Sequence, residues 1–191
     1  SANKSKSSQA TSRRKQLEKL NLEDIKPSSR RYPFIAFKPE REAGDQLLRV
    51  QGLTKTIDGN RVLNNVTFTV HKNDRIVFVG SNELAATTLF KILAGEMEPD
   101  AGSFNWGVTT SQSYFPKDNS AFFSDSTLNL VEWLRQYSKD KNDSFVRGFL
   151  GRMLFSGEEG LKMTNVLSGG ERVRCMLARM MLSSANVLLL D

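Results

Sequence analysis

Three stretches of the chain hold residues suited to binding phosphate or the Mg²⁺ that accompanies it. Leu167, Ser168, Gly169, Gly170 and Glu171 stand in a row just ahead of an apolar-periodic helix. Ser168 is placed to cap the helix that starts near Gly170, and the two glycines let backbone N–H groups approach a γ-phosphate at the positive end of that helix. The same five residues alone also fit an ordinary turn followed by a helix start. The second stretch is Gly80, Ser81, Asn82, Glu83, Leu84, Ala85, Ala86, Thr87 and Thr88. It follows 75–79, Arg75 and four apolar residues read as a buried strand, and opens a helical pattern from Thr87 to Ala94 that ends at Gly95. In the pattern G-x-x-x-x-G-K-[ST] backbone amides cradle phosphates, the lysine reaches the β- and γ-phosphates and the hydroxyl holds Mg²⁺. Ala85 and Ala86 occupy the second-glycine and lysine positions, so Gly80, Thr87 and Thr88 carry the match. The third stretch is Asn186, four apolar residues and Asp191, which predicts a buried parallel strand delivering a carboxylate to its C-terminal edge. Such an Asp suits Mg²⁺, usually through water. The alternative is a core strand that happens to end in a polar residue.

The elements that must hold these stretches are legible as alternating and helical patterns. Residues 47–53, a turn at 58–60, and Val66, Phe68 and Val70 predict an antiparallel flap. Further strands are expected near 103–106 and 109–115, with Trp106 in the core. Thr127 is read as the cap of a helix bearing Leu130, Val131, Leu134 and Tyr137; Phe145, Phe149, Leu150, Met153 and Leu154 mark another.

With these elements in place, the sequence resembles the ATP-binding cassette superfamily. The wording from Gly80 to Ala85, with Thr87, Thr88 and Leu89, is similar to its ABC-F branch of soluble, translation-associated twin-cassette proteins. The resemblance covers nearly the whole chain, with residues 1–45 as a basic linker, partly helical or disordered, and 46–191 as a second cassette. It implies an α/β fold: a P-loop NTPase-like, mainly parallel sheet with an antiparallel β flap, a nucleotide-binding core at 46–115 and 166–191, and a helical subdomain at 116–165. It also implies ATP sandwiched between residues 80–88 of one cassette and the signature residues 167–171 of a second cassette, with Mg²⁺ near Thr87 and Asp191. Water would attack the γ-phosphate in line, and closure would do work on the ribosome. Four departures surround the nucleotide. Ile57 stands where the family has an aromatic residue against adenine, Ala85 and Ala86 replace Gly and Lys, and Lys117 stands where the family has a Gln. The family's water-polarising acid and switch histidine follow the position of Asp191, so this chain by itself is expected to be inactive, with an exposed sheet edge. Two other readings stay open: a nucleotide-degenerate pseudo-ATPase that binds through its signature loop and tail, and the ATPase subunit of a membrane transporter.

Composition narrows the remainder. No run reaches membrane-spanning length and the N-terminus is polar, so a cytoplasmic protein without direct membrane insertion is expected. One cysteine, Cys175, excludes an internal disulfide, and the one histidine, His71, falls in a predicted turn. Residues 1–42 hold 11 Lys and Arg against 5 Asp and Glu, while the rest of the chain holds 16 of each, so the entire net charge of +6 lies in the tail. Residues 12–25 predict a helix with Leu17, Leu20 and Ile25 on one face. Residues 30–39 interleave basic and aromatic side chains, an arrangement that fits RNA, with Arg13, Arg14, Lys15, Arg30 and Arg31 on phosphates. Phe34, Ile35 and Phe37 are read as anchors of the linker on the cassette.

Overall fold

The computed structural model describes residues 31–125 and 127–191. The expected helix at 12–25 and the candidate RNA contacts Arg13, Arg14, Lys15 and Arg30 lie outside the described residues; Arg31 lies within them and is exposed.

Strands β1 (Gln46–Ile57) and β2 (Asn60–His71) form an antiparallel hairpin. Asp58 and Gly59 make its tight turn with φ of 49° and 77°, the left-handed pair that matches strand twist. β3 (Ala101–Trp106) pairs antiparallel with the other edge of β1. That pairing needs Gly102, because a Cβ there would lie 2.4 Å from the Gly52 carbonyl group. Along β1, Leu48 and Val50 turn inward while Arg49 and Gln51 face solvent, the alternation expected of a sheet buried on one side.

Helix α1 (Glu83–Leu93) begins four residues before the expected Thr87. The reason is Asn82, whose side chain accepts a hydrogen bond from the Ala85 N–H at 3.3 Å and satisfies one of the open donors of the first turn. Ala85 and Ala86 therefore sit on the helix rather than in the loop. Thr88, Leu89, Ile92 and Leu93 are buried, and the last three pack with Leu48, Val50 and Leu53 of the flap and Leu189. Trp106 joins this cluster half-buried, its indole N–H donating to the Leu93 carbonyl at 3.1 Å.

The buried strand expected over 75–79 is corrected by the structure. The segment pairs with no strand, and Val77 and Val79 are 81% and 93% exposed. An apolar run becomes a strand only when a neighbour completes its ladder. Here a cavity of about 590 Å³ separates Ile76, Val77 and Phe78 from strand β5 (Val187–Leu190). Phe78 anchors the segment by its ring, edge-on to Phe68 and Phe90 at 5.6 and 5.7 Å between centroids.

β4 (Gln112–Phe115) pairs in parallel with β5, matching Gln112 to Val187 and Phe115 to Leu190. The α/β class is as expected, and among the described residues its parallel part is this pair. β4 starts later than the expected 109 because Thr110 closes a turn onto the Gly107 carbonyl. The Asp191 N–H continues the ladder onto the Phe115 carbonyl at 3.1 Å.

Between β4 and β5 run α2 (Leu130–Tyr137), α3 (Asp143–Arg152) and α4 (Gly169–Ser183). Asn129, not Thr127, caps α2: its side chain accepts from the Glu132 N–H at 3.0 Å, while Glu132 accepts from the Asn129 N–H at 3.3 Å. Thr127 is taken by Asp125, to which both its N–H and its hydroxyl donate. These helices share a second core of Trp133, Leu134, Leu150, Met153, Cys175 and Met176. Burial pushes the Cys175 thiol up to about 12, which makes it a packing residue rather than a nucleophile. Of the expected linker anchors, Phe37 packs on this core, whereas Phe34 and Ile35 are 59% and 44% exposed. The backbone holds there instead, with the Phe34 N–H donating to the Arg152 carbonyl at 2.8 Å.

Candidate nucleotide site

The loop Gly80–Asn82 and the first turn of α1 open onto a cavity of about 600 Å³. Its polar side is formed by Ser81, Asn82, Glu83, Thr87, Lys117 and Asp191, and its apolar wall by Leu63, Val66 and Phe78. At its floor the Thr87 hydroxyl donates to Oδ1 of Asp191 at 3.0 Å, and the Tyr114 hydroxyl donates to Oδ2 at 3.2 Å. Asp191 is thus fixed from α1 on one side and from β4 on the other. Burial raises the Tyr114 hydroxyl well above its ordinary range, and the adjacent Asp191 charge adds to this, so the tyrosine remains a donor. A Cβ built on Gly80 meets nothing within 4 Å, which leaves the backbone of the loop open to a ligand. Lys117 forms an ion pair with Glu83 at the edge of the cavity.

The structure gathers most of the predicted phosphate residues and sets two of them apart, together with the predicted adenine-side residue. Thr88 is 1% exposed and packs in the core, and Leu84 is 49% exposed, pointing away from the lining. Ile57 is half-buried at the end of β1 and is not part of the apolar wall, whose members come from β2 and the segment at Phe78. Leu63 and Val66 were missed as site residues, although Val66 already stood out in the alternating pattern that predicted the flap.

The second predicted element lies outside this cavity. Leu167 is buried at 4% in the helical core, while Ser168, Gly169 and Gly170 are exposed at the start of α4. Ser168 caps the helix by accepting from the Glu171 N–H at 3.4 Å. Glu171 in turn accepts from the Ser168 N–H at 2.9 Å, the Ser168 hydroxyl at 2.8 Å and the Lys162 ammonium at 2.7 Å. Lys162 and then these Ser168 donors hold the Glu171 carboxyl down to about 2. The result is an ionised, clamped carboxylate and a glycine pair with its backbone facing outward.

A protein-family model described as ABC transporter matches residues 63–191, which take in the cavity, the capped signature helix and Asp191. The chain belongs to the ABC transporter family. It is 69% identical over 192 residues to the uncharacterized ABC transporter ATP-binding protein YkpA of Bacillus subtilis (strain 168), aligning over 100% of this chain and 36% of that protein. It is 30% identical over 160 residues to the energy-dependent translational throttle protein EttA of Haemophilus influenzae, covering 80% of this chain and 28% of EttA. The chain therefore spans about a third of the length of these relatives. Among solved structures, a nucleotide-free ATP-binding cassette from an ABC transporter superposes with a TM-score of 0.55 at 16% identity, over 76% of this chain and 68% of that one, which shows the shared fold. The matched span contains the loop at 80–88, residues 167–171 and Asp191, and the exposed start of α4 lies apart from the cavity. Among the described residues of this ABC cassette, no helix is long and apolar enough to cross a membrane.

Proposed function

We propose that this chain is an ATP-binding cassette domain of an ABC-F-like, cytoplasmic ATPase whose ATP-driven closure acts on the ribosome. Its nucleotide-binding core is 46–115 with 166–191, and its helical subdomain is 116–165. The observation that carries the nucleotide reading is the Thr87 to Asp191 contact of 3.0 Å at the floor of a cavity bordered by the open backbone of Gly80. Backbone N–H groups of the loop and of the first turn of α1 take the phosphates, aided by the positive end of the helix. The donor set of one hydroxyl and one fixed carboxylate fits Mg²⁺, which prefers oxygen ligands. Thr87 and Asp191 would hold it, and when bound it neutralises phosphate charge. Leu63 and Val66 offer an apolar surface to the base in place of the aromatic that Ile57 lacks. Exposed Ser168, Gly169 and Gly170 serve the nucleotide of a second cassette, with Lys162 and Glu171 keeping the helix start rigid.

The ribosomal part of the reading is supported by the tail, which carries all the excess positive charge, and by the likeness to EttA, a protein named for throttling translation. Binding to phosphates releases counterions, so RNA affinity should fall steeply with salt. Replacing Arg13, Arg14, Arg30 and Arg31 with alanine is expected to flatten the slope of log K against log salt by about one unit for each arginine that meets a phosphate, while Ser168→Ala leaves it unchanged. A chain without residues 1–42 that binds RNA as tightly, with the same slope, would reduce the tail to a tether. Ala86 favours a second reading, a nucleotide-degenerate module, because it removes the charge that the loop pattern supplies.

A further inference from the structure

We infer that Lys117 is a phosphate-binding residue of this cassette, exchanging its partner Glu83 for a phosphate of the bound nucleotide. This rests on the nucleotide reading of the cavity and names the cation that the site otherwise lacks. Among the described residues lining the cavity, Lys117 is the one cationic side chain, and it faces two carboxylates, Glu83 and Asp191. Ala86, at the position where the loop pattern has lysine, lines the same cavity with a methyl group only.

Lys117 reaches this place from another element. It follows β4 by two residues, and the last rung of β4 pairs Phe115 with Leu190, next to Asp191. The ammonium therefore approaches the phosphate region from the sheet, where the loop pattern would bring a lysine from the helix. A different origin is tolerable because lysine acts as a compact charge on a flexible four-carbon stem and needs no fixed orientation. Glu83 and, more weakly, Asp191 hold the ammonium above its ordinary range, so it remains charged.

The partner is releasable. The Lys117 and Glu83 side chains are 58% and 81% exposed, and an ion pair so open to water contributes little stability. A nucleotide phosphate carries more charge than a carboxylate and offers several oxygens, so it competes well for the ammonium. Glu83 then acts as an internal competitor that lowers affinity until it is displaced.

The test is the affinity of the full chain for ATP and for adenosine, both with Mg²⁺, in four variants. Lys117→Gln should weaken ATP binding by about tenfold or more and leave adenosine binding unchanged. Lys117→Arg should restore ATP affinity to within about threefold of the unaltered chain, since the charge is kept. The charge-conserving pair Glu83→Gln with Lys117→Gln decides whether direct contact or net charge matters. A loss of about tenfold supports the contact, whereas affinity equal to the unaltered chain overturns it. Ala86→Lys separates the inference from the reading beneath it. If the chain binds ATP, Ala86→Lys strengthens it and Lys117 is silent, the inference fails and the nucleotide reading stands. If neither the chain nor Ala86→Lys distinguishes ATP from adenosine, both fail.

Discussion

Ala86→Lys is expected to tighten ATP binding by about ten- to over a hundredfold, because one charge-assisted phosphate contact is worth roughly 1.5–3 kcal/mol. Ala86 lies in the first turn of α1 and lines the cavity one residue before Thr87, whose hydroxyl rests on Asp191. A lysine stem from that position extends over the floor of the cavity, toward the region where Lys117 already approaches from β4. The two cations would share the phosphates, so the gain should fall toward the lower end of the range. Titration of labelled ATP against the chain and the variant decides the matter. Equal affinities would mean that this face of α1 does not meet the phosphates.

The second large effect is structural. Trp133→Ala is expected to cost about 3–5 kcal/mol of stability, the range for removing a large aromatic side chain from a core. Trp133 is 2% exposed, stacks on Phe123 at 4.9 Å and meets Tyr137 edge-on at 5.0 Å. Its indole N–H also donates to the Phe122 carbonyl at 2.7 Å, so the substitution leaves a cavity and an unpaired acceptor together. Leu167, Cys175 and Met176 belong to the same core, so it also packs beneath the start of α4. Urea unfolding of the chain and the variant should show the loss as a shift in midpoint. A difference below about 1 kcal/mol would contradict the packing described for Trp133.

What the sequence made legible followed from local chemistry. The flap was readable because alternation and the Asp58 and Gly59 turn both act within a hairpin. The cap of α4 was readable because Ser168 and Glu171 stand three residues apart and bond each other directly. Where two local candidates competed, reading the sequence chose the wrong one: Thr127 is a good cap by type, yet Asp125 takes its donors and Asn129 caps α2. The start of α1 was misplaced because Asn82 was read as loop, although its amide is a strong cap. The run 75–79 shows the other kind of error, since its apolar residues specify a strand only in the presence of a pairing neighbour.

The site itself was half legible. Gly80, Thr87 and Asp191 were singled out by residue type and order, and the structure brings Thr87 and Asp191 within 3.0 Å across 104 positions of sequence. The pairing of Lys117 with Glu83 and the hold of Tyr114 on Asp191 depend on how β4 lies against α1 and β5, which no local pattern encodes. The wall of Leu63 and Val66 was hidden for a related reason. Val66 read only as part of the flap's alternation and Leu63 gave no signal of its own, and the folded hairpin shows that both border the cavity.

ATP phosphates, on this reading, lie against the backbone from Gly80 to Thr87 with Asp191 beneath them. Hydrogen–deuterium exchange of the full chain, with and without saturating ATP and Mg²⁺, reads those amides directly. Slowed exchange is predicted at residues 80–87 and around Asp191, and the slowing should vanish in Thr87→Val. Unchanged exchange across residues 80–87 in a chain shown to be saturated with ATP would contradict it.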